Sequence, residues 1–368
     1  MKFSDVFEDQ TKYGTKIKTD EYKEKGKHAI VDQGKKLIAG YTDLEYGLYN
    51  NVPVIIFGDH TRVIKYIDIP FFLGADGTKI LKCKVENANY KYLYYALTRE
   101  KIPDTGYNRH FKWLKEIDIK YPSVDKQDNI VKKLDKLSSI IQKRQQQLDK
   151  LDELVKARFV ELFGDPITNN FRLKTQSMTE LCEIIDGDRG KNYPTTDEFS
   201  NEGYCLFLNA KNVTSSGFNF DTCMYVTKEK DTALRKGKLK RGDVVLTTRG
   251  TLGNLAFYTD EIPYENVRIN SGMVILRMKH ELINEVYFIE QFKMQLAGIK
   301  EKIASGSAQP QLPISTMNKI QILVSSIEEQ NKFADFVKQI DKSKFDNQIY
   351  LINLCISNVL TEDLFSEQ

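Results

Sequence analysis

At 368 residues and 42.5 kDa the chain is too long for one compact core and predicts two domains, or three. Hydrophobic residues at 41% and aromatics at 11% exclude wholesale disorder, and no apolar run approaches the roughly 20 residues that span a bilayer. Net charge is only +3, divided as +4 over residues 1–123, +1 over 124–165, +2 over 166–326 and −4 over 327–368, a bias that permits nucleic-acid binding without demanding it. The opening stretch Met1–Gln10 is acidic and lacks an apolar core, so no secretory signal is expected there. Five cysteines (83, 182, 205, 223 and 355) form no C-x-x-C pair. A disulfide framework or zinc site is therefore not expected, and a reducing, cytoplasmic setting is.

In chain order, the first segment reads as strand Val52–Phe57, polar loop Gly58–Arg62 and strand Val63–Ile67. A turn at Asp76-Gly77-Thr78, strand Lys79–Val85, helix Tyr90–Arg99 and a Gly-containing loop Thr105–His110 follow. A long helix then begins after Ser123, a fitting N-cap, and ends at Gly164 and Pro166. Its seam, Ile130, Leu134, Leu137, Ile141, Arg144, Leu148, Leu151, Val155, Arg158 and Leu162, steps by four and three alternately, as a heptad does. Such a helix is a rod of roughly 60 Å at 1.5 Å per residue. Arg144 and Arg158 lie on the seam and should reach acids or solvent, since unpaired burial is costly.

The next segment repeats the order: strand Asp243–Thr247, loop Thr248–Asn254, strand Leu255–Tyr258, turn Asn270-Ser271-Gly272, strand Met273–Met278, helix Glu285–Ile303 and loop Ser305–Gln311. A second long helix follows, with Phe333, Val337 and Ile340 in the same frame. The stripe then moves to Phe345, Ile349, Ile352, Ile356 and Val359, broadened by Leu351 and Leu354.

Half the chain is thus written twice. Ser123-Val124-Asp125-Lys126-Gln127 returns as Ser326-Ile327-Glu328-Glu329-Gln330, and Ile117 and Ile119 return as Ile320 and Ile322, all at an offset of 203 residues. Glu161-Leu162-Phe163-Gly164 matches Asp363-Leu364-Phe365-Ser366 at an offset of 202. A repeat this long is a domain duplication rather than a solenoid unit. Each seam needs a partner, and the economical one is the other copy, antiparallel, with an internal pseudo-twofold. The expected fold is therefore α+β: two similar domains separated by a long antiparallel two-helix coiled coil with internal pseudo-twofold symmetry.

Catalytic motifs are missing. No Asn/Asp-Pro-Pro-aromatic string of amino-methyltransferases occurs, and Gly187-Asp188-Arg189-Gly190-Lys191-Asn192 has the wrong spacing for a P-loop and no hydroxyl for Mg²⁺. The one Pro-Asp, Pro103-Asp104, lacks the acid-x-Lys that a nuclease core places after it, and His28, His60, His110 and His280 make no metal-ligand pattern. His60 beside Asp59 reads as a polar turn rather than a general base. No metal and no catalytic residue are assigned.

Polar loops between strands are what base reading needs, because Arg bonds guanine bidentately, Asn or Gln bond adenine, and Lys, Thr and backbone N–H groups hold phosphates. The candidate DNA-binding residues in the first half are Gly58, Asp59, His60, Thr61 and Arg62, with Asn108, Arg109 and His110. In the second half they are Arg189, Lys191, Asn192, Lys211, Asn212, Thr248, Arg249, Gly250, Thr251, Asn254, Ser307 and Gln309. Each loop alone is an ordinary solvated turn, and their recurrence at equivalent places in both halves raises the claim.

These residues resemble the specificity (S) subunit of type I restriction–modification systems, over essentially the whole chain. Val54–Arg62 with Gly74-Ala75-Asp76-Gly77 resembles one target-recognition domain type, Gly242–Asn254 another, and Asp125-Lys126-Gln127 and Glu328-Glu329-Gln330 the entry to the family's conserved helices. The first copy departs from Glu-Glu-Gln, and the second helix lacks a clean heptad frame. The resemblance implies target-recognition domains at 1–123 and 166–326 and spacer helices at 124–165 and 327–368. It further implies a non-catalytic reader of a bipartite, asymmetric site in double-stranded DNA, with no membrane association. Two modification (M) subunits would bring S-adenosylmethionine to an adenine in each half-site by base flipping, and restriction (R) subunits would add ATP- and Mg²⁺-dependent translocation and cleavage. No cofactor is expected on this chain itself. Two other readings remain: a self-contained methyltransferase or nuclease, against which the missing motifs stand, and a coiled-coil adaptor that binds no DNA.

Overall fold

Short β-branched and aromatic runs close into small sheets, and each half of the chain builds the same two. The computed structural model describes residues 1–359 except 75, 107 and 305–310, and of 302–304 and 345–359 the backbone alone. Unit one comprises residues 1–144 with described residues from 351 onward, and unit two comprises 145–350.

Unit one opens with helix α1 (Phe3–Val6) and strand β1 (Phe7–Asp9), followed by β2 (His28–Val31), β3 (Gly40–Thr42), β4 (Val54–Gly58) and β5 (Ile64–Ile67). Strands β6 (Phe71–Leu73) and β7 (Thr78–Cys83) precede helices α2 (Tyr90–Arg99), α3 (Phe111–Leu114) and α4 (Val124–Phe163). One sheet has the order β1-β7-β4-β5 and is antiparallel throughout, while the other, β3-β2-β6, contains the parallel pair β2–β6. All five residues of β4 are buried, so its sequence runs apolar without alternation, as expected for a strand covered on both faces. Its side chains still alternate in what they touch. Ile55 and Phe57 join Phe3, Leu93 and Leu97 of the helices, whereas Val54 and Ile56 join Val31, Phe71 and Leu73 of the second sheet.

Unit two carries the end of α4, then β8 (Lys174–Ser177), α5 (Met178–Leu181), β9 (Cys182–Asp186), β10 (Cys205–Leu208), β11 (Val213–Thr214) and β12 (Gly217–Phe218). It continues through β13 (Tyr225–Val226), α6 (Lys228–Ala233), β14 (Val244–Thr247), β15 (Leu255–Phe257), β16 (Val267–Ile269) and β17 (Met273–Met278). Helices α7 (Glu285–Ala304) and α8 (Ile314–Met317), strand β18 (Gln321–Val324) and helix α9 (Ile327–Val359) close the chain. The sheets β9-β17-β14-β15 and β13-β10-β16 repeat the pairing of unit one, including the single parallel pair, here β10–β16. Strands β4, β5, β14 and β15 match the sequence reading to within two residues at each end.

The duplication reaches individual hydrogen bonds. In unit one the Gln127 side chain is fully buried, donates to Pro122 O (2.9 Å) and accepts from the Asn89 amide (3.3 Å). Asn89 caps α2 by accepting from Tyr92 N (3.0 Å), its Nδ2 donates to Asp128 Oδ1 (2.7 Å), and the Tyr92 hydroxyl donates to Lys120 O (2.6 Å). In unit two Gln330 donates to Ser325 O (3.0 Å) and Leu282 O (3.2 Å) and accepts from the Asn284 amide (2.9 Å). Asn284 Nδ2 donates to Asn331 Oδ1 (2.9 Å), and the Tyr287 hydroxyl to Leu323 O (3.1 Å). A glutamine in the first turn of the long helix is thus the joint between that helix and the N-terminus of the shorter helix before it, α2 or α7. Gln330→Ala, which leaves a buried amide and two carbonyls unpaired, is expected to cost unit two about 2–3 kcal/mol, read as a lower urea midpoint at unchanged slope.

Both long helices start where the repeat places them, α4 directly after Ser123 and α9 after Ser326, whose Oγ accepts from Glu329 N (3.3 Å). Gly164, at φ +76°, takes the left-handed position that ends α4. The seam needs correction at its end. The buried residues there are Val155, Phe159 and Phe163, while Arg158 is half-buried and Leu162 is 41% exposed. A straight α-helix drifts by ~20° per heptad against a 3.5-residue repeat, so the core-facing stripe passes to side chains spaced by four. Phe159 and Phe163 meet Phe333 of α9 (ring centroids 5.4 and 5.7 Å) and Tyr287 of α7 (5.2 and 4.9 Å). Nearer the middle of α4, Asp152 pairs with Lys344 (2.7 Å), so within unit two α4 and α9 run in opposite directions. Arg158 reaches an acid, Glu161 (2.8 Å), as expected. The side chains of Phe345, Ile349, Leu351, Ile352, Leu354, Ile356 and Val359, and the segment Asp363–Ser366, lie outside the described residues.

Candidate nucleic-acid interface

In unit one the β4–β5 turn is held from three sides. Thr61 Oγ1 donates to Gln33 O (2.6 Å), Gln33 Oε1 accepts from His60 N (3.1 Å), and Gln33 Nε2 donates to Asp76 O (2.8 Å). Gln33, which sits just past β2, therefore ties the Gly58–Arg62 turn to the Asp76-Gly77 turn. The sequence offered no sign of it, because nothing in a lone glutamine reveals contacts 27 and 43 residues away.

Asp59 and His110 are buried and face inward. Asp59 Oδ1 accepts from Phe111 N (2.7 Å), and Asp59 O accepts from His110 N (2.8 Å) and faces His110 Nδ1 (3.0 Å). Both are struts of the loop and offer no surface to a partner, which corrects their reading as contact residues. Arg62, at φ +61°, is spent on Asp104 (2.6 Å) and Ile102 O (3.4 Å). The Asp104 carboxyl is lowered first by the Gly106 N–H and then by Arg62. His60 Nδ1 faces Asn108 O (3.2 Å), and Asn108 Nδ2 donates to Thr105 O, so the 105–110 loop docks on the β4–β5 turn. Arg109 remains exposed at the rim. Gly58 is buried, and Thr61 is exposed.

In unit two the β14–β15 loop is folded on itself. Thr247 Oγ1 donates to Thr251 O (2.5 Å) and accepts from Asn254 N (2.9 Å). Gly253, at φ +89°, lies where a Cβ would approach Leu296 to 2.6 Å, so neither strain nor space permits a side chain there. Thr248 is buried, its amide and hydroxyl both donating to Gly272 O (2.8 and 3.0 Å), and its carbonyl accepts from Leu312 N (3.0 Å). Asn254 Nδ2 donates to Val213 O (2.9 Å), joining this loop to the β11–β12 hairpin. Asn212 is buried too. It donates to Asn219 O (3.0 Å) and Thr222 O (2.8 Å), which makes it a second internal strut and corrects its placement at the interface.

Arg189 and Arg249 line one cleft of about 330 Å³ with Asp186, Thr248 and Gln311. Arg189 Nη2 donates to Asp186 Oδ1 (3.1 Å) and Ser271 O (3.1 Å), while Arg249 is exposed. Lys191 is exposed, and Asn192 donates to Ala233 O (3.0 Å). The neighbouring Asp188 is lowered, chiefly by the Gly190 N–H, and it pins this loop to Arg235 N (2.7 Å). Gly250, Thr251 and Asn254 with Lys211 line a second, larger groove of about 730 Å³. Ser307 and Gln309 lie outside the described residues. Among the described residues no group of three or more His, Cys, Asp and Glu is arranged to hold a metal, and no helix is long and apolar enough to cross a membrane.

The family described as type I restriction modification DNA specificity domain matches residues 1–152 and 173–352, one stretch for each half of the duplication. The EcoR124I/EcoR124II specificity subunit of Escherichia coli is 30% identical over 147 residues, covering 36% of this chain and 36% of that protein. The MjaVIII specificity subunit of Methanocaldococcus jannaschii is 25% identical over 328 residues, covering 78% and 74%. Among solved structures, the type I S subunit from M. genitalium superposes with a TM-score of 0.55 at 18% identity, covering 100% of this chain and 96% of that one. A chain from a study of assembly and conformational transition in the type I system gives 0.52 at 12% identity, covering 99% and 96%. At these identities the structures share the fold. With both of its halves matched, the chain belongs to the type I restriction modification DNA specificity family.

Proposed function

We propose that this chain is the specificity subunit of a type I restriction–modification complex and reads a bipartite, asymmetric site in double-stranded DNA, each recognition domain taking one half-site. The observation that carries it is the duplication. Two modules with the same strand order and the same glutamine joint present loops of unrelated sequence, Gly58–Arg62 and Thr248–Asn254. One scaffold with two loop sets is what reading two different half-sites requires. In this reading domains 1–123 and 166–326 read, and helices 124–165 and 327–368 pair antiparallel about a pseudo-twofold and set the unread spacer. Chemistry resides elsewhere: two M subunits hold S-adenosylmethionine, R subunits use ATP and Mg²⁺, and the assembly works in the cytoplasm.

Exposed Arg249 is the base reader expected of the second domain. Arg249→Ala should relax discrimination at one half-site by about 1–3 kcal/mol and leave the other untouched, read by methylome sequencing of a host carrying the variant with its M subunit. Arg109→Ala should do the same at the other half-site. Equal effects of Arg249→Ala on both half-sites would sink the assignment of one domain to each.

A further inference from the structure

Unit two carries two concavities on either side of one loop, and their chemistry differs. Thr248 and Arg249 face the smaller cleft, whereas Gly250, Thr251 and Leu252 face the larger groove. The cleft contains the carboxylate of Asp186, held by Arg189. A carboxylate repels phosphate and accepts from the exocyclic amines that cytosine and adenine display, so this cleft suits base edges.

The groove has no acid among its described lining residues. Lys211, just after β10, and Lys300, from α7, both line it. Both are exposed, and neither is in an ion pair among the described residues. Ser215 and Thr251 supply hydroxyls, Thr214 Oγ1 being engaged with Gly217 O (3.0 Å), and Val213 and Leu252 add apolar lining. A Cβ added at Gly250 would meet nothing within 4 Å, so the backbone there is open to close approach. The Asn254–Val213 hydrogen bond ties the β14–β15 loop to the β11–β12 hairpin, so two of the elements around the groove are held together without an occupant.

We propose that this groove is the seat of the sugar–phosphate backbone, with Lys211 and Lys300 gripping phosphates from two different elements while the adjoining cleft reads bases. The proposal rests on the DNA-reading function above and divides its labour within unit two. Lysine supplies a point charge without geometric preference, hydroxyls and open backbone donate to phosphate oxygens, and an apolar lining suits deoxyribose. Lys300 had no place among the residues singled out from sequence, because it lies within helix α7 rather than in a loop.

The test is a salt titration of the full-length chain on two duplexes, one carrying the methylome-mapped target and one with that target scrambled. K211A/K300A is expected to weaken binding to both duplexes by the same factor. It should also flatten the slope of log affinity against log salt by about 2, which makes the fall between 50 and 200 mM roughly ten-fold shallower. The charge-conserving K211R/K300R should restore the slope. R249A serves as the opposite case, lowering the ratio of target to scrambled binding. An unchanged slope in K211A/K300A, or a changed ratio, would overturn the groove assignment while leaving the DNA-reading function intact. Absence of salt-dependent binding by the unsubstituted chain would instead overturn that function, and the groove assignment with it.

Discussion

Arg268→Met is expected to destabilise unit two by about 3–5 kcal/mol, enough to unfold a marginal domain. Arg268 and Asp231 are both buried. The guanidinium donates to Lys236 O (2.7 Å), Asp231 O (2.7 Å) and Leu234 O (3.0 Å), and its Nε pairs with the Asp231 carboxylate. Methionine fills the volume but strands three carbonyls and leaves a buried carboxylate with Lys238 (2.6 Å) as its remaining cation. Acid should narrow the difference. Burial pushes the Asp231 carboxyl up, and the bonds from Lys238 and Arg268 outweigh it, so the folded value is lowered. A lowered carboxylate contributes stability above its unfolded range, and that contribution is lost as pH falls through the folded value. Without Arg268 the carboxyl binds its proton more readily, so the variant loses less on acidification. Urea midpoints at pH 7 and near pH 4 check this, and a gap that widened in acid would contradict it.

Lengthening both long helices by one turn should move the preferred DNA spacer while leaving the half-sites alone. Four residues inserted after Gln147 in α4 and four after Gln348 in α9 add roughly 6 Å and about 40° of rotation. Matching the two insertions preserves the pairing of Asp152 with Lys344 and of Phe159 with Phe333. At about 3.4 Å per base pair the spacer grows by one or two pairs, and methylation at the original motif falls to background. Neither recognition loop changes. Methylome mapping gives the outcome, and an altered half-site with an unchanged spacer would mean that the helices do not measure DNA.

Order was legible in the sequence, and side-chain direction was not. The starts of α4 and α9, the strand–turn–strand pairs and the helices at 90 and 285 followed from periodicity and the repeat, because these depend on neighbours in the chain. The small second sheets did not, since β2–β6 and β10–β16 pair segments some 40 and 60 residues apart in parallel. Asp59, His110 and Asn212 looked like contact residues because a polar side chain in a loop has the same letter whether it faces water or a backbone amide. Phe159 and Phe163 were passed over because a heptad template selects a fixed seam and a straight helix does not keep it.

The glutamine joints treat the recognition loops as cargo. The side chains of Gln127 and Gln330 bond main chain, with Tyr121 added at Gln127, and the asparagines beside them close on residue 128 or 331, never on 58–62 or 248–254. Mutation can therefore rewrite those loops without loosening the joint. Loop sequence and helix anchoring are thus independent variables within each module.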